Sequence, residues 1–336
     1  MKNALTQFLA DWGRELSLVA AGGALGLLVV YVAWEGPEPE SVPPQAGRLP
    51  AIEQSARPQT SKLPIAPAPL PATGTPSPPM AEPDGETVGS SAAKIPPAWK
   101  RFAVTHSPVV GRHMIAVIID DMGLDQGRTA RAMALSGPLT LSFLTYARNL
   151  RAQTAVARSG GHELMIHLPM EPENSDAYAG PKVIKRDLSD DEIRRRLKWA
   201  FSRFEGYVGI NNHMGSRYTA HTPGMTLVLQ EIKRRGLLFI DSRTSGKSVA
   251  AAVARDLAVP FAQRHIFLDD DPAADNIAKQ LKALEKVAQN QGFSIAIGHP
   301  YDTTISALKK WLPTLSPRGF ILVPVSAIVR HRLEAG

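Results

Sequence analysis

The chain has 336 residues and 44% hydrophobic content, which is enough for the core of one large domain or two ordinary ones and excludes a protein that is disordered throughout. Its formal net charge of +7 permits contact with nucleic acid, anionic lipid or an anionic cell-wall polymer, although the basic residues are scattered. The absence of cysteine excludes disulfides and thiolate sites, so a metal ion would have to be bound by His, Asp or Glu.

A membrane anchor is predicted within residues 1–36. The stretch 16–34, LSLVAAGGALGLLVVYVAW, carries no charge and as a helix would span roughly 29 Å, close to the hydrocarbon thickness of a bilayer. Lys2 and Arg14 precede it and three Glu residues follow, so the positive-inside rule predicts a cytoplasmic N-terminus and a periplasmic or otherwise extracytoplasmic remainder, held by a single pass through the inner membrane. A cleaved signal peptide is the alternative, but no clear A-x-A site follows the apolar run.

The next segment, residues 37–98, is predicted to be a disordered linker. It contains sixteen of the 28 prolines and few large apolar residues, so it cannot form a core. Extended as polyproline it would reach roughly 190 Å at most. We therefore expect it to let a folded head, residues 99–336, work away from the membrane.

The head shows short apolar runs that alternate with helix-like stretches. The apolar runs are MIAVII (114–119), LTLSFL (139–144), ELMIH (163–167), VGINN (208–212), LLFID (237–241), HIFLD (265–269), SIAIG (294–298) and FILVPV (320–325). They lack strict alternation, which is typical of strands buried on both faces. Between them, Ser189 and Glu192 form a capping-box pattern at the start of one predicted helix. This order predicts an α/β fold with a parallel sheet, either closed as a barrel or left open.

Ionisable residues follow several of these runs. Because the carboxyl ends of parallel strands meet on one face, we expect these side chains to form one site. Asp120 and Asp121 are adjacent carboxylates that repel each other unless a cation or a raised pKa relieves them, which favours a functional role. The run 269–271, three aspartates, is instead interpreted as turn or helix-cap residues.

Three of the nine histidines are candidate functional residues. His167, His213 and His299 each follow an apolar run and adjoin proline or glycine turn residues, whereas the other six are interpreted as surface or core residues. Two imidazoles and one carboxylate that leave coordination positions open would form a site for zinc or another divalent metal.

The motifs IAVIIDDMG, HLPMEP, NNHMGS, LLFIDSRTS and AIGHP, in this order, resemble the divergent polysaccharide deacetylase family, a distant branch of the chitooligosaccharide deacetylase superfamily. The resemblance covers about Arg112 to Arg330. It implies a deformed (β/α) barrel of about seven parallel strands and metal-dependent hydrolysis of N- or O-acetyl groups on a polysaccharide. The predicted location outside the cytoplasm makes peptidoglycan one candidate substrate.

The resemblance also implies roles for individual residues. Asp120 would be the general base and His299 the general acid, and Asp241 is expected to orient a catalytic side chain. Asp121, His167 and His213 would bind the divalent metal, for which zinc is the expectation. Substrate contacts and stabilisation of the oxyanion are expected from Asn211, Asn212 and Arg243.

Three other functions remain open. A glycosidase could use Asp120 with Asp241 or Asp121 as its carboxylate pair and would need no metal. An envelope scaffold could keep a saccharide-binding cleft without activity, and a phosphoesterase could use the same site chemistry. Nucleic-acid binding is disfavoured because no basic helix with interleaved aromatic residues is present.

Overall fold

The computed structural model describes residues 95–335. The predicted membrane anchor, and the predicted linker up to residue 94, lie outside the described residues. Among the helices within 95–335, none combines the length and the apolar character needed to cross a bilayer.

Nine strands form one sheet in which every pairing is parallel. The strands are β1 His113–Met122, β2 Thr140–Leu144, β3 Glu163–Met170, β4 Tyr207–Met214, β5 Leu238–Asp241, β6 Phe261–Gln263, β7 Ile266–Phe267, β8 Phe293–Gly298 and β9 Phe320–Leu322. Their order is β6-β5-β4-β3-β2-β1-β8-β7, and β9 also pairs with β1. The predicted parallel α/β architecture is confirmed.

The sheet curls until its two edges meet. Its edge strands, β6 and β7, are consecutive in the chain and are joined by Arg264 and His265, which we call the seam. The backbone N–H of Arg264 donates to the carbonyl of Asp241 at 3.0 Å, and that of His265 donates to the carbonyl of Ile295 at 2.9 Å. The N–H groups of two consecutive residues thus contact β5 on one side and β8 on the other, so β6 and β7 together occupy one of seven positions around the curl.

The first and the last helix pack against the core inside the curl, and the other helices cover the outside of the sheet. The helices are α1 Ala98–Arg101, α2 Gln126–Met133, α3 Leu150–Ser159, α4 Asp190–Phe201, α5 Thr222–Arg234, α6 Ala250–Asp256, α7 Ala274–Gln291, α8 Asp302–Trp311 and α9 Val325–Ala335. As predicted, Ser189 is the N-cap of α4 and accepts a hydrogen bond from the N–H of Glu192. Gly292 ends α7 with a φ of 88°, which glycine adopts at little cost.

Residue alternation along the strands divides the core into two parts. The outer core lies between the sheet and helices α2 to α8, with Ile119 and Phe239 among its members. The inner core fills the curl with Ile118, Ile240 and Ile297, and α9 packs against it. The inward-facing residues of each strand, such as Ile118, alternate with outward-facing ones, and we call them the inner series and the outer series. Side chains of the inner series at the carboxyl ends of the strands therefore face the open end of the curl.

Candidate functional site

A bulge in β1 brings both members of the aspartate pair into the same cavity. Asp120 follows the inner series of Ile118, but simple alternation would turn Asp121 towards the helices. The β1–β2 register shifts between Ile119 and Met122, and Asp121 adopts a left-handed φ of 54°. This local distortion redirects the Asp121 carboxylate to the inner side.

The two predicted histidine ligands lie on neighbouring strands. In the β3–β4 register, His167 is opposite Asn211 and Pro169 is opposite His213. The two histidines are therefore offset by two positions, and both side chains lie on the inner face. Their rings meet edge to face, with centroids 5.0 Å apart.

The predicted metal ligands converge on one point. Oδ1 of Asp121 lies 3.0 Å from Nδ1 of His213 and 3.3 Å from Nε2 of His167. The two ring nitrogens are themselves 3.2 Å apart. Within residues 95–335, this buried oxygen of Asp121 has no hydrogen-bond partner. A bound cation would satisfy all three atoms, so the residues fit a divalent metal.

Asn211 fixes the orientation of both Asp120 and His167. Its Nδ2 donates to the two carboxylate oxygens of Asp120 at 2.7 and 2.9 Å, which sets the direction of the amide because an ionised carboxylate only accepts. Its Oδ1 then faces Nδ1 of His167 at 2.9 Å, so that nitrogen carries the proton. Nε2 of a neutral His167 is left with its lone pair directed at the metal position.

The pKa values of the two neighbouring carboxyl groups are shifted in opposite directions. Burial raises the pKa of Asp120, although the charges of His167 and His299 and the Asn211 hydrogen bond oppose the rise. Burial also acts to raise the pKa of Asp121, but His167 and His213 outweigh it and hold this pKa well below its usual range. Asp121 is thus suited to remain an ionised ligand, and Asp120 to take up a proton.

His299 approaches the same cluster from β8. Its Nε2 lies 4.0 Å from Oδ2 of Asp121, and its Nδ1 is 2.9 Å from Oδ1 of Asp269. Oδ2 of Asp269 also accepts from the backbone N–H of His299 and the hydroxyl of Thr304. The interpretation of Asp269 as a turn or cap residue is therefore wrong, because its carboxylate is buried and paired with His299. For Asp271 that interpretation is confirmed by the N–H of Ala273.

Two predicted site residues lie away from the cavity. Asp241 continues the outer series of Phe239, and its carboxylate accepts from the N–H of Arg243 and the hydroxyl of Ser248 at 2.7 Å each. The Arg243 side chain is also absent from the cavity lining in the described part of the chain. Asp241 therefore holds the loop after β5 and does not contact Asp120 or the histidines of the cavity.

The two asparagines position other groups. Asn211 is fully buried and its polar atoms are occupied by Asp120, His167, Ser142 and Ser242. Oδ1 of Asn212 accepts from the N–H of Ser242 at 2.9 Å. Asn211 was expected to contact substrate, but in the structure its side chain is fully buried and positions Asp120 and His167.

The resulting cavity has a volume of about 250 Å³ at the carboxyl ends of the strands. It is lined by Asp120, Asp121, His167, Asn212, His213, Met214, Ser242, Thr244, Arg264, Phe267, Ile297 and His299. Arg264 was not predicted because it directly follows β6, a three-residue strand that is not apparent as an apolar run in the sequence. The structure places Arg264 in the cavity because the seam lies beside the carboxyl ends of the strands.

A curled parallel α/β sheet with carboxylates and imidazoles at its carboxyl end defines the class of protein. A family model described as divergent polysaccharide deacetylase matches residues 117–329. The chain belongs to the divergent polysaccharide deacetylase family, as the sequence motifs predicted.

Similar proteins match about two thirds of the chain. YibQ of Escherichia coli K12, described as an uncharacterized protein, is 33% identical over 234 residues, which are 70% of this chain and 72% of that protein. An uncharacterized protein of Haemophilus influenzae is 33% identical over 223 residues, covering 65% and 77% of the two chains. The crystal structure of an uncharacterized protein from Agrobacterium tumefaciens C58 is similar with a TM-score of 0.67 and 26% identity, over 69% of this chain and 95% of that chain.

Proposed function

We propose that this protein is a metal-dependent hydrolase that removes acetyl groups from a carbohydrate of the cell envelope. The observation that carries the proposal is the convergence of Asp121, His167 and His213 beside two groups suited to proton transfer, Asp120 and His299. The family description supports a polysaccharide as the substrate class.

Asp121, His167 and His213 would hold the metal through one carboxylate oxygen and two imidazole nitrogens. When bound, a divalent cation such as zinc supplies Lewis acidity, which polarises an acyl carbonyl and makes water more acidic. Asn211 keeps His167 in the tautomer that ligation needs, and the bulge at Asp121 keeps the carboxylate turned inward. These contacts therefore hold the three ligand atoms in the orientation that a metal needs.

Asp120 and His299 would move the protons. Asp120 takes a proton from the attacking water, whose oxygen bonds to the acetyl carbon. The carbon–nitrogen or carbon–oxygen bond then breaks, and His299 gives its Nε2 proton to the leaving amine or alcohol. Asp269 contacts Nδ1, at the opposite edge of the His299 ring, so Nε2 is directed into the cavity as the proton donor.

We further propose that residues 16–34 anchor the protein in the inner membrane, so that the head acts on the periplasmic side. The support is the uncharged stretch and the order of the flanking charges. The proline-rich segment would then give the head access to a polymer at a distance from the bilayer.

The metal-free glycosidase receives no support from the geometry. Its second carboxylate would have to be Asp241 or Asp121. Asp241 is hydrogen-bonded outside the cavity, and Asp121 is held between two imidazoles.

The proposal is tested by metal content and acetate release of the full-length protein in detergent. After reconstitution with zinc, about one equivalent should bind to the parent, and His213→Ala should lower the affinity at least about tenfold because one of three ligands is lost. His106→Ala is the matched control, since this exposed histidine lies outside the cavity lining.

Turnover is then measured on acetylated chitin oligosaccharides and peptidoglycan. Asp120→Asn should lower acetate release by roughly 100-fold or more while metal stays bound. A folded parent that binds no zinc, cobalt or manganese would overturn the metal-dependent mechanism. Stoichiometric metal with no acetate from either substrate would instead favour the inactive saccharide-binding scaffold.

A further inference from the structure

Arg264 supplies a fixed positive charge to the candidate active site. It belongs to the seam, and its side chain lines the cavity together with Asp121 and His299. Neither proton transfer nor metal binding, as assigned to the other cavity residues, uses this side chain. Its presence in the cavity therefore needs a separate physical reason.

The guanidinium is held rigidly on one side. Nε donates to the carbonyl of Ser242 at 2.6 Å, and Nη2 donates to the carbonyl of Arg243 at 2.8 Å. The group also lies over the ring of Phe267, 4.7 Å from its centroid. Within residues 95–335, Nη1 makes no hydrogen bond, so donor capacity remains on a side chain whose direction is already fixed.

The charge of Arg264 has no direct counterpart. In the described part of the chain, no carboxylate oxygen lies within 4.0 Å of its guanidinium nitrogens. Asp120, Asp241 and Asp270 act on the guanidinium only at longer range, so it lacks the direct contact with an anion that offsets the cost of a partly dehydrated cation.

A purely structural role accounts for only part of this geometry. The two carbonyl contacts would be enough to brace the loop after β5. They do not explain why the brace should bring a permanent charge into the cavity, where a neutral amide could also donate to a carbonyl. A planar guanidinium is particularly suited to binding carboxylates through paired N–H donors.

We propose that Arg264 recognises a carboxylate on the substrate, so that the preferred substrate is an acidic acetylated sugar unit. This inference rests on the proposed function, because it takes the cavity to be the place where the acetylated sugar binds. The fixed guanidinium would bind the carboxylate in the ground state and orient the neighbouring acetyl group towards Asp120.

The test is ligand binding to chelator-treated full-length protein, measured by calorimetry without turnover. The probes are N-acetylglucosamine, which is neutral, and two acidic relatives, N-acetylmuramic acid and N-acetylglucosaminuronic acid. Removing metal prevents a cation from binding the carboxylate of the probe. At least one acidic probe should bind the parent roughly 10- to 100-fold more tightly than the neutral sugar, as expected for a charged hydrogen-bonded pair.

Arg264→Gln should abolish this preference, and Arg264→Lys should keep only part of it because the paired donors are lost. Arg243→Gln is the matched control, since it removes the same charge from a neighbouring side chain outside the cavity lining and should leave the preference intact. Thermal unfolding establishes that each variant is folded; if Arg264→Gln is not, the comparison of probes in the parent and Arg264→Lys decides.

Equal affinities of the parent for the acidic and neutral probes would overturn the inference. A preference that survives in folded Arg264→Gln would do the same. If Arg264→Gln lowered only kcat for acetate release and left the ratio of dissociation constants unchanged, Arg264 would act on the oxyanion and not on a substrate carboxylate. Because binding is measured without turnover, a lack of hydrolysis would count against the proposed function alone.

Discussion

At the scale of single residues, Asp120 and Asp121 show how two identical neighbours acquire different roles. The bulge gives them a common cavity, but their contacts differ, since Asp120 is bound by an amide and Asp121 by two imidazoles. Burial therefore dominates at Asp120, whereas imidazole contacts dominate at Asp121. The different roles of Asp120 and Asp121 are therefore set by their surroundings, because the side chains themselves are identical.

The pairing of His299 with Asp269 predicts the alkaline limit of activity. Burial acts to lower the pKa of His299, but the hydrogen bond and charge of Asp269, with the charges of Asp121 and Asp120, raise this pKa to about 9. A general acid must be protonated, so acetate release should fall as the pH rises through the pKa of His299. Asp269→Asn removes the main raising influence and should move this limit down by about one pH unit or more, which a pH profile of kcat/KM would show.

The same pair predicts a stability contribution with a definite sign. Because the folded-state pKa of His299 lies above the ordinary value near 6.5, its protonated form stabilises the fold fully below about pH 6.5, and this contribution is lost as the pH rises towards 9. Asp269→Asn should flatten that dependence. Asp271→Asn, on an exposed turn residue, is the control; equal profiles for both variants would show that Asp269 does not stabilise the protonated His299.

The sequence was sufficient to find most of the site but not its supporting groups. Asp120, Asp121, His167, His213 and His299 all lie at the end of an apolar run or directly after one, which is a pattern that the sequence shows. Asp269 follows its strand in the same way, but an aspartate there also suits a cap, and only the fold shows its partner. Asp241 was expected in the site, but strand alternation turns its side chain to the outer face of the sheet. An apolar run such as LLFID does not reveal which of its residues face inward.

At the scale of elements, β4 carries more of the site than any other strand. It supplies Asn211, Asn212 and His213, and its closeness to β5 depends on a glycine. A Cβ at Gly209 would lie 2.3 Å from the backbone oxygen of Leu238, closer than atoms can approach. Replacing this glycine must therefore push β4 and β5 apart.

Gly209→Ala should reduce the free energy of unfolding by about 1–3 kcal/mol and weaken zinc binding, because His213 moves with β4. Denaturant unfolding and metal titration measure the two effects. Gly246→Ala, in an exposed loop where a Cβ meets nothing within 4 Å, is the matched control and should change neither quantity appreciably. A Gly209→Ala protein as stable as the parent would show that the strands separate at little cost.

Long elements could be predicted from the sequence and short ones could not. The capped helix α4 and the apolar strand β1 stand out by length and pattern. Strand β6 has only three residues and α6 only seven, too few for a periodicity to emerge. The run FILVPV was expected to be one strand, but β9 ends at Leu322 and α9 begins at Val325, since proline at 324 cannot continue the ladder.

At the scale of the whole molecule, the number of paired residues between neighbouring strands varies around the curled sheet. The parallel pairing of β1 with β8 extends over six residue pairs, whereas β5 pairs with β6 over three and β7 with β8 over two. The two pairs of β7 and β8 are the shortest pairing in the sheet and lie next to the seam, although β1 with β2 and β4 with β5 also pair over only three residues each. We expect the ring to open at the seam before it opens elsewhere.

Hydrogen exchange measured by mass spectrometry tests this order of opening. Amides of residues 261–267 should exchange at least about tenfold faster than those of 114–119 in the centre of β1. Zinc should slow exchange around the ligands on β1, β3 and β4 and leave the seam nearly unchanged, because none of the ligands lies on β6 or β7. Equal protection of the seam and β1 would contradict the expectation that the sheet opens first at the seam.

The seam also has a consequence for how such proteins can diversify. Two residues close the circumference, and one of them, Arg264, also lines the cavity. A short insertion between Gln263 and Ile266 would lengthen the perimeter and reshape the substrate entrance while the ligand-bearing strands stayed in register. Altered sugar selectivity could thus be reached through chain length at one point, by natural variation or by engineering, with the hydrolytic groups left as they are.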